Sequence, residues 1–220
     1  MKTRRARRGR TPALDAAKIA SAVRRVGRRE DLSMRAVADE LAVDITTLYR
    51  HVGGVDALRQ IGARLAAPTV DEWPSPAGAT WQSWLAELAR YYRGALRANP
   101  DLIDFAHSAL DPDFHRLEHA TRILVGFGFD PRAAGFAHGF VINTVVGYVH
   151  QEQHEAEQSA QGRSAVARYA QALQSDRGVD RLATLKSLAL GASDFEPDAA
   201  FERFLRLAID GIAAQPGAPE

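Results

Sequence analysis

Apolar residues recur along this chain at three- and four-residue spacings, the period of an α-helix, and no run of alternating β-branched residues points to a sheet. Leu14, Ile19, Val23 and Val26 form the first stripe. Thr11 and Pro12 can open that helix as N-cap and first residue, and Gly27 can help end it. Ser33 then caps a helix carrying Met34, Val37, Ala38 and Leu41, and Ala42-Val43 forms a turn. Asp44 caps a third, short helix that is expected to bury Ile45 and Leu48 while exposing Thr46, Thr47, Arg50 and His51. Gly53-Gly54 breaks the chain, and residues 55–66 make a fourth helix with Leu58, Ile61 and Leu65 on one face. Further on, the spacing predicts helices over 80–98, 101–109, 112–127, 131–158, 163–174, 179–190 and 195–213. Asn99-Pro100 ends the first of these, and Asp111-Pro112 opens the third.

Punctuation divides the pattern. Residues 67–79 contain Pro68, Pro74, Pro76 and Gly78 and read as a linker. The expected organisation is a basic disordered arm over 1–10, a helical unit over 11–66 in which helix 55–66 is the connecting element, the linker, and a larger helical unit over 80–214. At 220 residues and 46% hydrophobic, the chain can bury a sizeable core. With no cysteine, it has neither a disulfide framework nor a thiolate zinc site, which suits a reducing cytosol. The basic N-terminus lacks the apolar segment of a secretory signal. The longest apolar run, Ala133 to Val149, contains His138 and Asn143 and is expected to be a buried helix, too short for a membrane span.

Charge sharpens the division. Residues 1–64 hold 15 Lys+Arg against 7 Asp+Glu, whereas the remainder holds 13 against 20, so a net charge of +1 conceals a basic front and an acidic rear. That asymmetry suits a polyanion-binding module joined to something that does not bind polyanions, although a merely basic surface would look the same. The first ten residues carry six basic side chains, Arg4, Arg5, Arg7 and Arg8 among them. Such an arm can track phosphates or enter a minor groove, or simply solubilise the chain.

Two short helices across a tight turn, the second with an apolar back and a hydrogen-bonding front, form a shape that fits a DNA major groove. Arg50 can grip guanine, and Thr46, Thr47 and His51 can meet base edges or phosphate. Tyr49 has a hydroxyl suited to a phosphate, and Arg35 can reach the backbone or a base from the bracing helix. A helical hairpin with solvated polar residues would carry the same bare pattern.

The pattern is closer than that. Ser33-Met34-Arg35-Ala36-Val37-Ala38, Val43-Asp44-Ile45-Thr46-Thr47-Leu48-Tyr49-Arg50-His51-Val52 and Ala57-Leu58 make residues 14–66 resemble the DNA-binding domain of the tetracycline-repressor (TetR) family of bacterial transcription regulators. Two positions depart from it. Ala42 stands in the turn where the family usually has Gly, which tolerates a positive φ. Val55 stands where many members place a phosphate-clamping Lys.

Beyond residue 67, Trp81-Gln82-Ser83-Trp84-Leu85, Tyr92-Arg93, Gly147-Tyr148-Val149 and Gln151-Glu152-Gln153 look like segments of the same family's ligand domain. The resemblance implies an all-α protein with an N-terminal three-helix helix-turn-helix domain and a larger helical domain for effector binding and dimerisation. It implies a cytoplasmic homodimer that binds a palindromic double-stranded DNA operator as a repressor and is released by a small-molecule effector. Dimerisation would use helices 131–158 and 195–213, with the stripe Phe195, Phe201, Phe204, Leu205, Ala208 and Ile212 either at the interface or in the monomer core.

The effector is not expected to be tetracycline. The family's pocket amide falls on Leu88, its aromatic wall on Tyr92, and the carboxylate supplied by the second subunit on Gln151, with His107 nearest to the metal-ligating histidine. Losing an amide and a carboxylate would leave a tetracycline–magnesium complex poorly held, so a more apolar ligand fits better. Phe105, His107, His138 and Asn143 join Leu88, Tyr92 and Gln151 as candidate ligand contacts. His107 and His138 could equally be satisfied core histidines. His115/His119 and His150/His154 have the four-residue spacing of a helical metal chelate, but also that of ordinary helix faces; no metal or other cofactor is expected. The competing class is an all-helical enzyme with a basic accessory unit, but no phosphate-binding Gly loop, HExxH motif or thiol nucleophile is present. An activator, or a regulator indifferent to ligand, is a nearer alternative.

Overall fold

The structure, a computed structural model, describes residues 14–27, 32–66, 69–100, 103, 114–175, 183–188 and 192–219. It is all-α. The helices are α1 (Ala16–Gly27), α2 (Met34–Glu40), α3 (Ile45–Tyr49), α4 (Val55–Ala66), α5 (Trp81–Arg97), α6 (Phe114–Gly126), α7 (Pro131–Ala160), α8 (Ala165–Ser175), α9 (Ala183–Ser187) and α10 (Pro197–Ala213), with short 3-10 turns at Val70–Glu72 and Ala192–Phe195. The expected opening of α1 at Thr11-Pro12 is corrected: Leu14 and Asp15 lie outside the helix, and the Asp15 carboxylate accepts the Lys18 N–H at 2.8 Å, capping the helix four residues later. Of the expected helix over 101–109 only Ile103 is described, helical and buried, and the Asp111-Pro112 opening lies outside the described residues.

Two apolar clusters organise the chain. The first gathers Val23 and Val26 of α1, Val37 of α2, Leu48 of α3 and Leu58 of α4. Here α1 packs on α2 and α4, and α2 on α3. Full burial of each such side chain contributes about 1.5–3 kcal/mol. The second cluster is built on α5 and α7, with α6 packed on α7, and α10 lying across both α5 and α7.

Helix α7, 30 residues and so about 45 Å long, is not the buried helix expected. Ala134, Ala137/His138, Val141, Val145 and Val149 turn one face into the core. Phe136, Phe140 and Asn143 are exposed on the rest of its surface. The apolar run is wider than the stripe that α5, α6 and α10 can cover. No helix among the described residues is long and apolar enough to cross a membrane.

The proline-rich stretch is packed rather than free. Trp73 is buried in the second cluster, the Trp84 indole N–H donates to the Pro74 carbonyl at 2.9 Å, and Thr80 caps α5 in a reciprocal capping box with Ser83. The Tyr91 hydroxyl donates to Glu72 at 2.6 Å, a bond that pushes its pKa up to about 12. Helix α4 touches both clusters: Leu58 and Ile61 belong to the first, while Leu65 packs against the second. After α10 the chain turns back, and the Asp130 N–H donates to the Gly217 carbonyl at 3.0 Å. Gly217 has φ 85°, and a Cβ there would run into the Asp130 carboxylate that caps α7.

Candidate functional site

The reading face is assembled from local hydrogen bonds. Ser33 accepts the Ala36 N–H at 3.1 Å and starts α2. The turn closes through Ala42 N–H to Asp39 and Val43 N–H to Ala38, at 3.1 and 3.0 Å. Ala42 carries φ 53°, the left-handed conformation that the missing glycine would adopt without strain. Asp44 caps α3 by accepting the Thr46 N–H at 2.8 Å and the Thr46 hydroxyl at 2.6 Å. The Thr46 hydroxyl bond, ahead of the backbone bond, lowers the Asp44 pKa. The Thr46 hydroxyl proton is therefore committed within the protein, leaving its lone pairs and methyl to face outward.

Leu48 and Val52 anchor the short helix from beneath. Arg35, Thr46, Tyr49, Arg50 and His51 are exposed, and Thr47 is half-buried. Ile45, expected inside, is 37% exposed. It sits at the first position of α3, at the rim of the wedge that Leu48 fills one turn later. Val55, at the start of α4, is half-buried. Arg4, Arg5, Arg7 and Arg8 lie outside the described residues.

A second constellation lies inside the larger cluster. Leu88 and Tyr92 belong to that cluster, and His138 is buried against its Trp73. The Trp73 indole has its ring centroid 5.9 Å from Tyr92, 6.0 Å from His138, 5.4 Å from His119 and 6.4 Å from Trp84. Both His138 ring nitrogens and the Trp73 indole N–H are buried without a hydrogen-bond partner among the described residues. Burial alone pushes the His138 pKa down to about 4, so the ring is neutral near pH 7. Trp73 was missed by sequence reasoning because it lies in a stretch read as linker; the signal was a large aromatic set among prolines just ahead of a helix cap. His119, read as half of a possible metal pair, packs its ring against Trp73 instead. His115 and His154 are exposed, and no group of three or more potential metal ligands forms among the described residues.

The other candidate ligand contacts lie elsewhere. Asn143 is exposed on α7. Gln151 is also exposed, at a separate groove between the end of α7 and the start of α10. Phe105 and His107 lie outside the described residues.

Near that groove, buried Arg93 of α5 holds Glu152 of α7 at 2.6 Å and Asp198 of α10 at 2.8 Å, and stacks 4.4 Å over Phe201. One guanidinium thus ties three helices. On the outer surface, Phe136 and Phe140 of α7 and Phe204 and Leu207 of α10 are each more than half exposed. Phe136, Phe140 and Leu207 line a groove of about 500 Å³. The stripe expected on α10 therefore splits: Phe201, Leu205, Ala208 and Ile212 face the core, and Phe204 faces out.

A short helix braced in a helix-turn-helix, joined through α4 to a larger helical body, is the architecture of a transcriptional regulator with a helical ligand-binding part. The family model for the tetracyclin repressor-like C-terminal domain matches residues 73–216, and the chain belongs to that family. Similar solved structures include TetR from Acinetobacter baumannii AYE, 25% identical over 90% of this chain and 96% of that one, with TM-score 0.60. Apo ActR from Streptomyces coelicolor is 23% identical over 94% and 100%, with TM-score 0.74. ActR in complex with actinorhodin is 24% identical over 95% and 98%, with TM-score 0.73. No curated protein matches the sequence at a significant level.

Proposed function

We propose that the chain is a homodimeric transcriptional repressor that reads a palindromic operator and leaves it when a small molecule binds. The observation that carries this reading is α3 and the turn after it: a short helix anchored by Leu48 and Val52 that holds Tyr49, at its end, and Arg50 and His51, just beyond it, out to solvent. In the major groove, Arg50 reads guanine, Thr47 and His51 meet base edges or phosphate, Thr46 offers its methyl and lone pairs, and Tyr49 and Arg35 grip phosphate. The arginines of the N-terminal arm add salt-dependent affinity, in place of the phosphate clamp that Val55 cannot make.

Pairing two copies covers the exposed Phe136, Phe140, Phe204 and Leu207, a contiguous apolar surface that a monomer would leave in water. The effector binds inside the second cluster, near Leu88, Tyr92, Trp73 and His138. Complexes of ActR with actinorhodin and with (S)-DNPA support a small-molecule effector. Leu88 in place of an amide disfavours tetracycline. An effector shifts the dimer only by binding one of its states better than the other, and α4, in contact with both clusters, carries the change to the reading helices. The protein acts in the cytoplasm, where its operator is.

The test is a gel shift on the DNA upstream of its own and neighbouring genes. Wild type binds one site selectively, and Arg50→Ala weakens binding about tenfold or more and relaxes the base preference. Unchanged affinity and selectivity in Arg50→Ala would remove this role from α3. A complex that persists when effector binds would make the protein a regulator of the non-induced kind.

A further inference from the structure

The interior of the larger cluster is apolar apart from a few groups, and two of them are adjacent and unpaired. His138, 7% exposed, offers one donor and one acceptor as a neutral ring, and Trp73 offers one donor; neither has a hydrogen-bond partner among the described residues. Their rings lie 6.0 Å apart at 36°, so one small polar group can serve both. Buried polar atoms without partners are costly, and they are retained where a ligand completes them.

Charge selects further. Arg93, the other buried polar side chain among the described residues, is already held by Glu152 and Asp198. Among the described residues, an anion at His138 would meet no buried cation that is not already engaged, and a cation no buried carboxylate. The walls around Trp73 are the flat faces and edges of Trp84, Tyr92, His119 and His138. Such walls favour a planar aromatic guest. Trp73 stands on the connection between α4 and α5 rather than on a helix.

Resting on the regulator reading above, we propose that Trp73 and His138 are the selective end of the effector site and that the effector is an uncharged aromatic molecule bearing a hydroxyl. The hydroxyl oxygen accepts from the Trp73 indole N–H, and its proton goes to the unprotonated nitrogen of His138. Trp73 follows Leu65, in the last turn of α4, by eight residues, and both pack in the second cluster, so a ligand at Trp73 sits close along the chain to the end of α4.

The probes are three molecules of one ring shape: 2-naphthol, naphthalene and 2-naphthoate, titrated calorimetrically into the full-length protein at pH 7. Wild type binds 2-naphthol at least tenfold more tightly than either of the others. His138→Phe and Trp73→Phe, which keep a ring but remove the polar atoms, lose that preference and still bind naphthalene. Without any probe, His138→Phe melts at a higher temperature than wild type, because two unpaired buried nitrogens are gone. Equal binding of the three probes, tightest binding of 2-naphthoate, no binding at all, a preference that survives in His138→Phe, or a lower melting temperature for His138→Phe would each overturn the proposal. The gel shift separates the two readings: selective DNA binding without the 2-naphthol preference sinks only the effector class, whereas absence of selective DNA binding sinks the regulator reading.

Discussion

At Ala42 and His138, conformation or environment conflicts with the residue's chemistry. At φ 53°, Ala42 pays a steric penalty that glycine avoids. Ala42→Gly is therefore expected to stabilise the protein by about 1 kcal/mol, read as a higher urea midpoint with unchanged slope. His138 binds its proton more weakly in the folded protein, with a pKa of about 4, than in the unfolded chain, where it is near 6.5. Between those values the unfolded state holds more protons, so stability falls as pH drops from 6.5 towards 4, by up to about 3 kcal/mol over the window. Urea denaturation at pH 7 and pH 5 is expected to show a loss in wild type that His138→Phe does not share; parallel losses would mean that other groups govern the acid limb. Residue types alone allowed both features to be anticipated only in part. Ala42 stood out because a turn needs a residue that tolerates positive φ, but whether His138 has a partner depends on what the other helices bring to it.

Helices were legible in the sequence where their signals are local. Ser33, Asp44 and the Gly53-Gly54 break set the bounds of α2, α3 and α4, because a cap needs only residues within one turn. The start of α1 was misplaced for the same reason: two capping residues, Thr11 and Asp15, stand four apart, and the carboxylate at Asp15 captures the helix. The burial of α7 was misread because a run of apolar residues does not say how many neighbours it will meet. Packing between elements also creates the Arg93 tie, which joins α5, α7 and α10. Glu152→Ala leaves Arg93 buried with only the exposed Asp198 carboxylate, and is expected to cost about 3 kcal/mol. Chemical denaturation checks this; a loss under 1 kcal/mol would mean that Asp198 alone satisfies the guanidinium.

At the scale of the whole molecule, the exposed faces of α7 and α10 and the two clusters bridged by α4 set the expectations. Leu207→Glu places a charge in the outer apolar surface while leaving the core residues Leu205 and Ala208 alone. It is expected to shift the protein from dimer to monomer in sedimentation velocity at micromolar concentration, with weaker operator binding and near-normal helix content. A variant that stays dimeric would place the interface elsewhere. The sequence by itself determined the all-helical class, most helix boundaries, the charge division and the helix-turn-helix, because periodicity, caps and turns act over a few residues. Only the tertiary structure decided which faces are buried, that Trp73 folds out of a proline-rich stretch to pack against Tyr92 and His138, and that Leu88, Tyr92 and His138 are buried while Asn143 and Gln151 are exposed. Those outcomes depend on which distant segments come together, and burial, pairing and isolation of a polar group are properties of that meeting rather than of any stretch of chain.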